Sequence, residues 1–386
     1  MGMTLNKELF DRLLSAMLVA GGSGLSDVLF VPGRPPQLDC FRTLRSFEKV
    51  LDEPVVTPDL TQQIAAILME ESAHLAENLK VNGSCDCSYT LPNGARFRGN
   101  IYRQSGHLAV VMRKLSNSIP GFSELSLPAV FTEIMKESSG LIFVTGATGM
   151  GKSTTLAAVI NEMNRTQRIH IITLEDPVEY LHPPMQSIIS HRELGKDFSS
   201  YPIGLKSAMR QAPKAILVGE IRDRETMEVA LSAAETGHIV FTTLHTINAG
   251  QTVNRILGMF DKDEVQLVRH RLADTLRWVI SQKLVNKIGG GLQLVTEIMG
   301  SNMRSREVII LGESDKRNLH EIIESSVSPW GWHSFEQSLV KAYSAGLIDE
   351  ETAVNHSTHR SKLRQALDSA RPRSATIISM AASAAA

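Results

Sequence analysis

Gly146-Ala147-Thr148-Gly149-Met150-Gly151-Lys152-Ser153, with Thr154 next, has the spacing G-x-x-x-x-G-K-[ST]. Glycines at such spacing let successive backbone N–H groups turn inward around an anion at the positive end of the following helix. The chemistry this pattern performs is binding of a nucleoside triphosphate: Lys152 reaches the β- and γ-phosphates, and Ser153 offers its hydroxyl to Mg²⁺. A glycine-rich turn can match the same letters by chance, so the context matters. Residues 141–144 before the loop are an apolar strand-like run, and residues 154–161 after it read as a helix. Strand, phosphate loop and helix follow one another as the mechanism requires.

Further polar groups stand at the ends of other apolar runs. After residues 169–173 come Glu175, Asp176 and Glu179, three carboxylates within five residues. A solvated acidic turn has the same composition, but at a strand end in a phosphate-binding fold such groups polarise water or hold Mg²⁺. Residues 215–218 form an apolar strand followed by Gly219 and Glu220. This is a Walker-B-like element in which glycine occupies the place where many such enzymes carry aspartate, leaving Glu220 to supply charge near the metal or its water shell. His245 follows the apolar run 239–243 and is placed to hydrogen-bond a γ-phosphate or the carboxylate of Glu220. His238, at the start of that run, reads as structural.

The elements that must position these groups fall into two sets. Residues 5–19 carry apolar side chains at helical spacing, residues 26–31 resemble a short strand, and a second helix is expected within 59–79. Residues 88–91, 95–102 and 108–115 then alternate polar and apolar side chains around turns at Pro92-Asn93-Gly94 and Ser105-Gly106, an antiparallel meander. The first domain is therefore α+β and spans 1–115. Its middle strand places Arg96 and Arg98 on one face, and its third ends at Arg113. A solvated edge would carry such arginines too, yet paired guanidiniums also suit a triphosphate. Residues 116–128, rich in Ser, Pro and Gly, read as a linker.

From 129 to 370 strands and helices alternate: strand 141–145, helix 153–164, strand 169–174, helix 203–211, strand 215–218, helix 224–236 and strand 238–244. Near-continuous apolar strands between helices predict an α/β fold, a mostly parallel sheet covered on both faces, with ligands at the strands' C-terminal ends. Beyond Thr246 the pattern turns mainly helical, with candidates at 249–257, 262–285, 319–324, 335–345 and 350–355 and a strand at 295–299. Residues 371–386 have little to pack and read as a disordered tail.

Composition narrows the field. With 386 residues the chain can bury two cores. Lys and Arg number 40 against 41 Asp and Glu, so no global field draws the chain to nucleic acid or an anionic membrane. Cys40, Cys85 and Cys87 suit a reducing compartment and make no disulfide framework. Cys85-Asp86-Cys87 lacks the further ligands a metal site needs. No signal peptide and no run of 18 apolar residues is evident, which predicts a cytoplasmic protein without direct membrane insertion.

Together these motifs resemble the type IV pilus retraction ATPases, the PilT/PilU group of the secretion-ATPase superfamily. The family's Walker A is matched by residues 146–153, its Asp box by 173–180, its unusual Walker B by 216–223 and its His box by 234–246, in order and over nearly the whole chain. Arg96-Phe97-Arg98-Gly99-Asn100 resembles the family's Arg-Phe-Arg strand, and Met112-Arg113-Lys114-Leu115 its closing arginine.

The resemblance implies a PAS-like N-terminal domain followed by a RecA-like P-loop ATPase domain, assembled as a homo-hexamer with ATP held between domains near subunit contacts. It implies ATP and Mg²⁺ as cofactors, with Ser153 and Glu220 serving the metal and Glu179 best matched to the general base. Glu175 and Asp176 shape the same site, and the residues alone leave Glu175 and Glu179 both open as the base. It further implies that Arg96, Arg98 and Arg113 stabilise transferred-phosphate charge, and that His245 links nucleotide state to movement. The implied partners are an inner-membrane pilus platform protein and a related retraction ATPase in a mixed ring. The chain departs from the group at Ser26-Asp27-Val28-Leu29, at His191 before Arg192-Glu193, and at 302–309, where the PilT branch has Ala-Ile-Arg-Asn-Leu-Ile. Residues 210–213, 220–227, 320–323 and 334–337 look like the PilU branch, an accessory motor. Three alternatives stay open: a pilus assembly or type II secretion ATPase, a RecA-like nucleic-acid motor, and a non-hydrolysing ring adaptor. The first usually carries a four-cysteine zinc module, and no Cys follows Cys87.

Overall fold

The Asn6 side chain accepts a hydrogen bond from Leu9 N and so starts α1 (Lys7–Gly21), which buries Phe10, Leu13, Leu14 and Met17. The structure, a computed structural model, describes residues 5–41, 43–47, 55–116, 118–314, 317–326 and 331–370. The tail expected at 371–386 and residue 117 of the expected linker lie outside the described residues. By its contacts the chain divides into two compact units. One gathers the residues up to Ile119 with Leu174–Pro183 and His191–Gly204. The other holds Pro120–Thr173, Pro184–Ser190 and the chain from Leu205 onward.

In the first unit α1 leads into β1 (Leu25–Phe30), β2 (Gln37–Cys40) and β3 (Thr43–Ser46). Then come α2 (Pro58–Met69), α3 (Ala73–Asn82), β4 (Ser84–Thr90), β5 (Arg96–Gln104) and β6 (His107–Lys114). The strands form one sheet in the order β3-β2-β1-β6-β5-β4. The expected meander is there as β4–β6, paired antiparallel. The hairpin β2–β3 was not expected, because four-residue strands carry too little alternation to be read. The single helix expected within 59–79 is two: Glu70 and Glu71 take positive φ, and Ser72 caps the next helix by accepting from Leu75 N. Phe10, Phe30 and Tyr89 meet in the core, with ring centroids 6.1 and 5.4 Å apart for Phe10–Phe30 and Phe10–Tyr89.

The second unit opens with α4 (Phe131–Ile134), β7 (Gly140–Thr145) and α5 (Lys152–Thr166). β8 (His170–Glu175) and β9 (Ile188–Glu193) each run from this unit into residues grouped with the first. α6 (Tyr201–Ala208), β10 (Ala215–Val218), α7 (Arg224–Glu235) and β11 (Ile239–Leu244) continue the alternation. Next are α8 (Ala249–Leu257), α9 (Val265–Thr275), β12 (Leu276–Asn286) and β13 (Leu292–Met299). The chain closes with α10 (Met303–Leu311), α11 (Leu319–Glu324), α12 (Phe335–Ser344), α13 (Glu350–His356) and α14 (Arg360–Ser369).

Seven strands form one sheet in the order β13-β12-β7-β11-β10-β8-β9. β10, β11 and β7 run parallel, as the apolar strands predict, and β12 joins them parallel to β7. Every residue of β7, β10 and β11 is buried, the burial expected of strands covered on both faces.

The C-terminal part departs from the sequence expectation. Residues 262–285 are not one helix: α9 ends at Thr275, and the chain straightens into β12, which pairs antiparallel with β13. Trp278, Val279 and Ile280, buried on the stretch that pairs with β7, and Val285, buried on the stretch that pairs with β13, have side chains whose β preference overrides the apparent helical spacing. The strand expected at 295–299 is the second half of β13. β9, α10 and α14 were not anticipated.

Candidate functional site

The phosphate loop is built from its own dihedrals upward. Gly146, Gly149 and Gly151 take φ of 146°, 80° and 77°, where side chains are strained, and Gly151 also caps α5. A Cβ on Gly146 would stand 2.5 Å from the backbone oxygen of Gln282, so a glycine is required there for space as well as for angle. Lys152, buried in the first turn of α5, donates from Nζ to Gly146 O at 2.9 Å and Ala147 O at 3.1 Å. Its ammonium is thereby held over the loop that Thr148 and Met150 complete. Ser153 is exposed in the same helical turn, with Thr154 beside it, and Thr155 N closes onto Gly151 O at 2.9 Å. A loop turned by three positive-φ glycines, a fixed ammonium and an exposed hydroxyl fit a triphosphate with its Mg²⁺. Among the described residues no cluster of three or more His, Cys, Asp or Glu is arranged to hold a metal by itself. A cation here would therefore need phosphate oxygens or water to complete its ligand shell.

In the same unit Thr243 Oγ1 donates to Gly219 O at 2.8 Å and fixes the end of β10 against β11. Glu220, just beyond, lies 3.4 Å from His245 Nε2 and pairs with Arg222. The Glu220 carboxylate is one of the two partners considered for His245, and it lies within reach. His238 Nδ1 lies 3.1 Å from Ala233 O, so the ring serves the end of α7, as a structural histidine does.

A separate cluster forms within the first unit. Arg96 on β5 is only 7% exposed, and its guanidinium donates to Val178 O at 2.5 Å and Glu179 O at 3.1 Å. Burial lowers the Arg96 pKa, opposed by the neighbouring carboxylates of Glu193 and Glu175. Arg98, two residues on and more exposed, approaches Glu179 Oε1 at 3.9 Å and Asp86 Oδ2 at 3.7 Å. Glu179 N donates to Glu175 Oε2 at 3.3 Å. Arg96, Arg98, Glu175 and Glu179 are thus one cluster, and Asp176 precedes Pro177 in the same turn. Arg113 stands opposite Arg98 in the β5–β6 ladder but is mostly exposed and bonds Asp27 Oδ1 at 2.9 Å.

Sequence reasoning left several supports of this cluster unassigned. Buried Glu193 accepts from Val178 N at 3.2 Å and from Ser88 Oγ at 2.7 Å, and pairs with Lys196 at 2.9 Å. His191 Nε2 accepts from His182 N at 3.3 Å, and the two rings stack at 5.5 Å and 5°. Burial, then the facing His191 ring, lowers the His182 pKa to about 3. Burial, then the Arg96 charge, lowers that of His191 to about 4. The triplet His191-Arg192-Glu193 stood out in the sequence only as a departure from a familiar pattern. Nothing local there marks a support for residues 178–182. Cys85 and Cys87 are buried thiols, and burial raises both their pKa values, to about 12 for Cys87.

The glycine loop at the start of α5, with its buried lysine, is a P-loop, the nucleotide-binding element of a class of ATPase motors. The chain belongs to the type II/IV secretion system protein family, whose profile matches residues 59–312. It is 41% identical over 278 residues to a "Twitching motility protein" of Neisseria gonorrhoeae, covering 72% of each chain. It is 33% identical to the "Type IV pilus ATPase PilU" of Pseudomonas aeruginosa, over 92% of this chain and 90% of that one. Among solved structures it superposes on the pilus retraction motor PilT with bound ADP at a TM-score of 0.80 and 37% identity, covering 92% of this chain and 98% of that one.

Proposed function

We propose that this chain is an ATPase that powers retraction of type IV pili, and hence twitching motility. The observation that carries the reading is the preserved loop geometry, three positive-φ glycines with Lys152 fixed above them, in a chain alike over 92% of its length to an ADP-binding retraction motor. It works as a ring of six copies in the cytoplasm, against an inner-membrane platform protein of the pilus machine. No helix among the described residues is long and apolar enough to cross a membrane, so that attachment runs through the partner.

In this mechanism the loop amides and Lys152 bind the β- and γ-phosphates of ATP. Ser153 and Glu220 would hold Mg²⁺, which would supply positive charge to the phosphates. Glu179 takes the proton of the attacking water. Arg96 is engaged by two carbonyls of the Glu179 segment, so its part is to hold that base in place. Arg98 and Arg113, less buried, keep the role of stabilising charge on the transferred phosphate. His245, in reach of Glu220, passes the state of the site to β11 and α8.

The match to PilU along 358 residues favours an accessory motor of that kind, working in a mixed ring with a related ATPase, as a second form of the same reading. Deleting the gene from a piliated host tests the proposal: lost twitching with retained or excess surface pili supports retraction, and bald cells support assembly. A DNA-stimulated ATPase with salt-dependent DNA binding would replace it with a nucleic-acid motor. Purified hexamers without ATP turnover would leave a ring adaptor.

A further inference from the structure

We propose that Gln282 is a positioning residue for the nucleotide, fixing the rim of the phosphate loop through the carbonyl of Met150. The proposal rests on reading residues 146–153 as the ATP-binding loop. Gln282 lies on β12, 1% exposed, and its Nε2 donates to Met150 O at 2.6 Å. The same strand touches the loop at both ends. Ser281 Oγ bonds Thr145 Oγ1 at 3.0 Å just before the loop, and the Gln282 backbone oxygen occupies the space a side chain on Gly146 would need. Leu284 N points at Met150 Sδ at 3.3 Å. One strand of the C-terminal part thus forms the floor on which residues 145–151 rest.

The other half of the amide shows what the bond is for. Gln282 Oε1 is buried without a hydrogen-bond partner, an arrangement that lowers stability. Turning the amide over would set that oxygen against the Met150 carbonyl, acceptor against acceptor, so its orientation is decided by the loop. An apolar side chain of the same shape would suit the core better. The polar group serves the loop: anchoring the Met150 carbonyl fixes the peptide that carries the Gly151 N–H. That peptide lies next to glycines free to rotate. Without the donor it turns more freely, one inward amide is lost for part of the time, and phosphate is held less tightly. Lys152 and Glu179 are untouched, so binding suffers more than chemistry.

The test compares full-length wild type, Gln282→Met and Gln282→Glu by binding of a fluorescent ATP analogue, by KM and kcat for ATP, and by melting without nucleotide. Gln282→Met is expected to melt at or above the wild-type temperature while its KM rises about tenfold and kcat stays within about twofold. Gln282→Glu, which sets a carboxylate against the Met150 carbonyl, is expected to raise KM further. Unchanged affinity in both variants overturns the proposal. So does a fall in melting temperature and kcat at constant KM, the mark of a merely structural residue. Lys152→Ala in the same assay separates the two readings. If it binds the analogue as wild type does, the nucleotide site itself is misassigned. If it loses binding while both Gln282 variants keep it, only the inference about Gln282 falls.

Discussion

Eight consecutive residues, Gly146 to Ser153, make the phosphate loop, whereas the Arg96 cluster joins a meander strand to an acidic turn 83 positions further on and then to β9. The loop presents mostly backbone N–H groups, whose directions follow from a few dihedrals and three glycines. The arginine cluster presents side chains whose positions depend on two distant segments meeting. Its buried guanidinium has to be met by carbonyls and carboxylates, or it would be expelled toward water. The first kind of site takes its shape mainly from its own residues, with β12 bracing it at Gly146 and Met150. The second is only as well ordered as the contacts that assemble it.

The largest expected effect falls on the local site. Lys152→Ala should lower ATP turnover by about a hundredfold or more, measured by phosphate release on folded protein, beyond the loss of stability from removing the donor to the Gly146 and Ala147 carbonyls. Wild-type turnover would show that the loop does not hold the reacting phosphates. Next, Glu179→Gln should cost about a hundredfold in kcat and Glu175→Gln about tenfold less, since removal of a general base is worth about 10²–10⁴. The reverse order would make Glu175 the base and Glu179 its neighbour.

Within the assembled site the two arginines should separate. Arg96→Ala leaves the Val178 and Glu179 carbonyls without their donor and should destabilise the chain by about 2 kcal/mol in denaturant unfolding, with a drop in kcat. Arg98→Ala, at longer distances and half in solvent, should change stability by less than about 1 kcal/mol. Equal losses would mean that burial does not distinguish them.

The smallest effect is a pH dependence. Folding lowers the His182 and His191 pKa values to about 3 and about 4, below the unfolded value, so between there and about pH 6.5 the unfolded chain binds more protons. The stabilisation from these neutral rings is therefore complete above about pH 6.5. It is lost as the pH falls toward 4 and then 3, by about 2 kcal/mol per ring at pH 5. His191→Gln, which keeps an acceptor for His182 N, should flatten the fall in melting temperature between about pH 7 and pH 5. An unchanged slope would place the acid sensitivity elsewhere.

Much of the α/β frame was legible because buried parallel strands are continuous apolar runs and the glycines punctuate them. The segment 262–285 was misread because a strand buried on β7 and a helix with an apolar face carry similar residues, and only the pairing of Ser281 with Thr145 and of Val285 with Gln293 decides between them. That misreading also hid Gln282, which inside a helix would have had no reason to meet Met150. The short strands β2 and β3 left no signal at all. His245 beside Glu220 was within reach of sequence reasoning, since both follow apolar strands that end together in a parallel sheet.

The phosphate loop, the strand-end carboxylates and the alternation of apolar runs were determined by the sequence itself, because backbone dihedrals and burial on both faces act over a few residues. Tertiary structure alone decided that Arg96 holds carbonyls of the Glu179 segment, that Glu193 and His191 brace the same segment, and that β12 lies under the loop. Those are meetings of groups tens of residues apart, and a side chain's partner at that distance depends on how the intervening chain folds.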